Sequence, residues 1–266
     1  MDRSILNKYK KEEEKLILSK ILDKISFCET RNQIQVTDFL DLAQKELILK
    51  FLKYQNVENY IFFGGNENAE RVTVIFYPSK LENLIKENKI NFGEWIKVVR
   101  ITLPNENIGK YNHQNYLGAL MKLGIKREKV GDILVDDKGA DILIKTDILK
   151  FILANLTELT RFQKSKIEEI ELNELRQIEE KKEKFTITVS SNRLDNIVAE
   201  LAKCSRSKAN ELILQERVLV NYQITTKQTK EIKENDRITI RGKGRFEIKE
   251  KVGNTKKGRI VIEVEK

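Results

Sequence analysis

Cysteine and histidine are almost absent from this 266-residue sequence, and two kinds of chemistry go with them. Cys28 and Cys204 stand far apart and His113 is the single histidine, so neither a zinc cluster nor a disulfide framework can be assembled. Both thiols read as core or helix-end residues. Long apolar runs are missing too. Nothing approaches the roughly 18 consecutive apolar residues of a membrane span, and the first twenty residues mix Lys, Arg and Glu throughout, unlike a secretory leader. A cytoplasmic protein is expected, with no membrane partner, no metal and no cofactor. The 40% of apolar residues is enough for two or three cored domains.

Charge is present but unevenly placed. The net +9 belongs to the last third: residues 181–266 hold 21 Lys and Arg against 12 Asp and Glu, whereas residues 1–180 hold 29 of each. A basic module attached to neutral domains is the electrostatic footprint of nucleic-acid binding.

The fold class expected is α+β. Leu16, Ile17, Ile21, Leu22 and Ile25 predict a first helix, and Thr37 is a candidate N-cap for a second, running through Leu40, Leu47, Leu49 and Leu52. Strands at Tyr60–Phe63 and Arg71–Tyr77 flank the turn-forming run Gly64-Gly65-Asn66-Glu67-Asn68, and Pro78 closes a helical and small-strand amino-terminal domain, 1–80. Residues 81–172 follow in the order strand (Trp95–Leu103), helix (Gln114–Leu123), strand (Asp132–Val135), strand (Asp141–Ile144), helix (Asp147–Leu156), strand (Ile167–Leu172), with a turn at Asp136 to Gly139. That order is ferredoxin-like, as in RNA-recognition domains. The base-stacking aromatics such domains carry are missing from Ala140 to Lys145. Residues 173–184, almost wholly polar, read as a solvated linker or an exposed helical extension, and 185–266 as the terminal basic domain.

In that last domain a strand at Phe185–Val189 precedes a helix that Ser191 or Asn192 can cap, with Leu194, Ile197, Val198 and Leu201 on one face. A second helix starts at Ser205 and carries Ala209, Leu212 and Ile213 inward; strands follow at Val218 and Val220, Ile238 and Ile240, Phe246 and Ile248, and Ile260 to Val264. Arg206 and Lys208 occupy the first turn of the second helix, where the dipole disfavours cations by about 0.3–1 kcal/mol each. Placing cations there makes sense if an anion is bound, and helix starts with cationic side chains form phosphate sites; Arg193 has the same character.

Arg193-Leu194-Asp195, Ser205-Arg206-Ser207-Lys208-Ala209, Val218-Leu219-Val220-Asn221 and Asn235-Asp236-Arg237-Ile238 together resemble the S-four-type, or alpha-L, RNA-binding domain. The resemblance implies RNA contact at Arg193, Ser205, Arg206 and Lys208; Lys203, Arg217, Arg241, Lys243 and Arg245 complete the candidate set. Glu216 departs from the pattern, which has Gly at a left-handed helix end. Further runs, Gly64 to Arg71, Leu117 to Met121, Gly124 to Ile133, Arg241 to Phe246 and Thr255 to Arg259, resemble the YlmH family over nearly the whole chain. Lys243 stands where an aromatic is expected, and Gln114-Asn115 where a charged pair is.

That resemblance implies a bacterial protein that docks on RNA of the large ribosomal subunit, in rescue of subunits blocked by peptidyl-tRNA, with a genomic link to cell division. Enzymatic readings are weaker. Asp195 is followed by Asn-Ile-Val rather than the Thr-x-Gly of a pseudouridine synthase, Gly64-Gly65 is too short for a methyltransferase cofactor turn, and His113 opens a helix. A non-catalytic binder is expected; an RNA-modifying enzyme or a division-associated scaffold is the alternative.

Overall fold

Leu18, Ile21, Leu22, Ile25 and Cys28 fall at helical spacing and form the buried stripe of α1 (Glu12–Arg31), which ends where Asn32 turns left-handed at φ 54°. Leu16, expected on that stripe, is 59% exposed. The computed structural model describes residues 3–66, 69–87, 89–177 and 183–266, and the chain divides into two compact units, Met1–Ile178 and Glu179–Lys266.

The second helix starts later than the sequence suggests. Thr37 does not cap it, because its hydroxyl is committed to a strand: Oγ1 accepts from Val74 N at 2.9 Å, beside the two-residue strand β1 (Gln35–Val36). Asp41 is the cap, in a reciprocal box with Gln44, and α2 runs Leu42–Tyr54. Leu40, expected in the helix, instead bridges to Val72. β2 (Tyr60–Phe63) and β3 (Thr73–Phe76) pair antiparallel, with the order β1-β3-β2. Of the turn between them, Glu67 and Asn68 lie outside the described residues.

After the short α3 (Glu82–Lys86) come β4 (Ile96–Thr102), α4 (His113–Lys122), β5 (Val130–Asp136), β6 (Gly139–Lys145), α5 (Leu149–Asn155) and β7 (Lys166–Ile170). Their antiparallel order, β5-β6-β4-β7, is the ferredoxin-like one. The hairpin turn is as expected: Asp136 pairs with Gly139, whose φ of 151° and closeness to Ile101 O leave no room for a Cβ. Asn112, not His113, caps α4.

Strand alternation gives this sheet two apolar faces. Val99, Ile101, Ile142 and Ile144 meet Tyr116, Leu120, Ile152 and Phe162 on the helical side. Ile96, Val98 and Leu143 face the other way and are covered by the ring of Phe39. Gly131 makes the seat, since a Cβ there would stand 2.6 Å from Phe39 Cε1. Arg71 fastens the cover, donating from Nε to Val130 O and from Nη2 to Phe39 O, both at 3.0 Å, while Asp132 accepts from the Glu70 and Arg71 N–H groups. The border expected at residue 80 therefore falls inside one unit, because an apolar sheet face must be covered and Phe39 and Phe63 pack over it.

The start of the expected linker is also used. Leu175 packs on this face, and Arg176 gives its N–H to Asp141 Oδ2 at 2.9 Å and its Nε to Oδ1 at 3.1 Å. Residues 173–177 are thus no solvated linker; 178–182 lie outside the described residues.

The second unit holds β8 (Lys184–Val189), α6 (Leu194–Ala202), α7 (Arg206–Leu214), β9 (Val218–Val220), β10 (Gln223–Ile224), β11 (Arg237–Ile240), β12 (Gly244–Asn254) and β13 (Ile260–Glu265). Its antiparallel sheet, β10-β9-β11-β12-β13-β8, shares one core with the helix pair: Leu194, Ile197, Val198, Ala209 and Ile213 pack with Val218, Ile238, Ile248 and Val264. Glu216 does adopt the left-handed conformation, φ 57°, and closes α7 with Glu216 N to Ile213 O and Arg217 N to Leu212 O.

Phe39→Ala should lower the unfolding free energy by roughly 3–5 kcal/mol, as for other buried rings. Calorimetry that leaves the transition unmoved would mean that the segment is not part of the core.

Candidate nucleic-acid interface

Asp195 stands in the first turn of α6 with its side chain 1% exposed. An acid this deep needs partners. It takes them from both sides: Arg193 donates from Nε to Oδ1 at 3.1 Å and from Nη2 to Oδ2 at 2.8 Å, and Arg206, on the first turn of α7, donates from Nε and Nη2 to Oδ2 at 3.0 and 2.8 Å. Asn196 N adds a third donor at 3.0 Å. Burial pushes the Asp195 carboxyl up, but the two guanidiniums outweigh it and hold the pKa below the usual value. Each arginine keeps about half its side chain in solvent, 40% for Arg193 and 53% for Arg206. Among the described residues the Nη1 groups have no partner. The result is two oriented guanidiniums whose outer edges are open to a phosphate.

The helix starts differ from expectation. Neither Ser191 nor Asn192 caps α6; the cap position is Arg193, and the first N–H groups, of Leu194 and Asp195, donate to Lys230 O at 2.8 Å and Gln228 O at 3.1 Å. A returning loop has sealed that end, so it offers no phosphate nest. At α7, Ser205 is the cap as expected, its Oγ accepting from Lys208 N. The Arg206 and Ser207 N–H groups have no partner among the described residues. The dipole cost of the two cations is offset within the chain, by Asp195 for Arg206 and by Glu211, 2.5 Å from Nζ, for Lys208.

The remaining candidates do not join this cluster. Lys203 is exposed just past α6 in a left-handed conformation. Arg217 lies beyond the far end of α7, whose nine residues rise about 12 Å. There Arg217 Nη2 donates to Arg241 O at 3.2 Å and Arg241 N to Arg217 O at 2.9 Å. Gly242, φ 83°, keeps the turn close, and Lys243 and Arg245 continue the exposed basic run. Asn221, Asp236 and Arg237 form a structural net, with Asn221 Nδ2 donating to Asp236 Oδ1 at 2.8 Å and Arg237 N to Asn221 Oδ1 at 2.9 Å.

Asp195 was missing from the candidate set as a positioning residue. Its signal was an acid at the spacing of the apolar face, three residues before Val198 and seven before Ala202.

Among the described residues, the sheet of the first unit offers no equivalent surface. RNA-recognition domains stack bases on the exposed sheet face. Here Phe39 and Leu175 lie on it, and Asp141 is held by Arg100 (2.8 and 2.7 Å) and Arg176.

Residues 92–174 match the family model of the RNA-binding domain in YlmH, and residues 192–238 match the S4 domain. Over 247 residues the chain is 29% identical to ribosome-associated protein quality control protein P2 of Bacillus subtilis (strain 168), covering 93% of each. In these matches the chain is similar to proteins of the YlmH type. It is also similar to the solved cell division protein ylmH from Streptococcus pneumoniae, at 22% identity and a TM-score of 0.48, over 63% of this chain and 98% of that one. The S4 match holds the Asp195 clamp and ends before β12.

Asp195→Asn separates two roles of the arginines. If they acted as loose charges, removing a neighbouring anion would tighten RNA binding; with Asp195 as the positioning residue, affinity for an RNA duplex should fall roughly tenfold. Because the folded-state pKa is lowered, the carboxylate stabilises the unit above the ordinary carboxylate range, and that contribution disappears as pH falls through the lowered value. Acid unfolding of the variant should accordingly be less pH-dependent below about pH 4. Tighter RNA binding by the variant would refute the clamp.

Proposed function

We propose that this chain is a YlmH-type protein that binds structured RNA of the large ribosomal subunit without catalysis and acts in the rescue of subunits blocked by peptidyl-tRNA. The observation that carries the RNA reading is the Asp195 clamp, which aims Arg193 and Arg206 and stands beside the open start of α7. Guanidiniums held in plane by a carboxylate suit bidentate contact with phosphate oxygens. Lys203, Ser205, Lys208, Arg217, Arg241, Lys243 and Arg245 are the further contacts of this reading.

The ribosomal part of the proposal is supported by the name and the coverage of the Bacillus subtilis relative. The absence of catalysis is supported at one residue. Asp195, the acid that a pseudouridine synthase reading would need, is buried and has both oxygens bonded.

Sucrose-gradient sedimentation with large subunits across a salt series tests the reading. Arg193→Ala with Arg206→Ala should weaken association and flatten the plot of log affinity against log salt by roughly 1.5, since two fewer phosphates are neutralised. Co-sedimentation equal to wild type at every salt concentration would overturn it.

A further inference from the structure

The S4 match does not contain the charge that makes this chain basic. Residues 192–238 hold nine Lys and Arg against seven Asp and Glu, whereas residues 241–259 hold eight against two. From Lys251 to Arg259 there is no acid at all. That segment is the outer half of the hairpin formed by β12 and β13, beyond both family matches.

The hairpin is built to project and to keep its shape. Register shifts between Ile248 and Lys251 and between Lys251 and Gly253 place extra residues in β12, and such bulges bend a strand and raise its twist. Past them the apolar pattern stops: Lys251, Val252, Lys256 and Lys257 are exposed, and a Cβ at Gly253 or Gly258 would meet nothing within 4 Å. The tip is closed by Thr255 N to Arg259 O at 2.8 Å, Gly258 N to Thr255 O at 2.9 Å and Arg259 N to Thr255 Oγ1 at 3.1 Å. Arg259 is spent as an anchor, donating from Nη2 to Thr188 O at 2.8 Å and to Glu200 on α6 at 3.3 Å. Lys249 is likewise bonded to Glu247 and Glu265.

We propose that this hairpin is a second RNA arm, in which Lys251, Lys256 and Lys257 contact the phosphate backbone and supply a large part of the salt-dependent binding. The eleven residues of β12 span roughly 30 Å between Arg241–Arg245 at one end and the lysines at the other. Cations repeated over that length match an extended polyanion rather than a short acidic peptide. Oriented guanidiniums on the helix pair then set the register, and the hairpin lysines add affinity without reading sequence.

The proposal rests on the RNA reading above, and the test separates the two. Full-length protein carrying Lys251→Ala, Lys256→Ala and Lys257→Ala would be titrated with a fluorescent RNA duplex and with purified large subunits across salt. With three fewer phosphates neutralised, affinity for both probes near physiological salt should fall by about 10- to 100-fold and the salt slope by roughly 2. The thermal midpoint should hold, because the three side chains are exposed. Wild-type curves for the triple variant, beside weakened binding by the Arg193 and Arg206 double variant, would overturn the arm and leave the helix-pair reading standing. Loss of subunit binding with duplex binding intact would also overturn it, pointing to an acidic protein as the partner. Hairpin-dependent binding of the duplex by a wild-type protein that ignores large subunits would support the arm and remove the ribosome from the proposed function.

Discussion

A carboxylate taken out of water must bring cations with it, since an unpaired buried charge costs several kcal/mol. Each unit of this chain is organised around one such acid: Asp141 and Asp195 are the buried acids among the described residues, and each is gripped by two arginines. The outcomes differ through burial of the arginines. Arg100 and Arg176 around Asp141 keep 25% and 13% of their side chains exposed. Arg193 and Arg206 keep about half of theirs. The same constraint therefore closes a surface in the first unit and sets up an open one in the second.

That contrast bears on which unit of this chain is shaped to meet RNA, and how. A ferredoxin-like sheet advertises one face for ligands, but the apolar residues Ile96, Val98 and Leu143 on that face require cover, and Phe39 seated over Gly131 provides it. Residues before 92 are thus structurally part of the domain that the family match begins there. Among the described residues, Phe39 and Leu175 occupy the face on which RNA-recognition domains stack bases.

Much of this was legible in the sequence wherever one physical signal dominated. The alternating and helical periods placed β2, β4, β6, α6 and α7 within a residue or two, and Ser205 announced the start of α7 because nothing competed for its hydroxyl. Legibility failed where a residue had two suitors. Thr37 is a good cap by type, but Val74 N claims it; Ser191 is a good cap, but its Oγ accepts from Asn196. β1 has two residues and so no alternation to read. The cover over the sheet is a long-range contact, and a polar run such as 173–177 gives no hint that Arg176 has a buried partner. Asp195 was hidden for the opposite reason: one acid among apolar neighbours reads as a helix-start charge until its two arginines, one of them eleven residues further along the chain, converge on it.

The placement of charge also changes meaning once partners are known. A surplus of nine over the last third drew attention to Arg206 and Lys208, yet both have carboxylate partners within the chain, Arg206 sharing Asp195 with Arg193, and Arg237 is paired with Glu247. Charge neutralised at home adds little to long-range attraction, whatever its local geometry. Orientation and attraction are separate quantities, and here they reside in different elements. The helix pair has near-neutral composition and fixed guanidiniums, which suits positioning. The hairpin has the surplus and exposed lysines on a braced turn, which suits attraction. An interface assembled from the two would dock by charge along β12 and β13 and settle by geometry at Asp195, so that the family motif and the net charge need not coincide in sequence to act on one ligand.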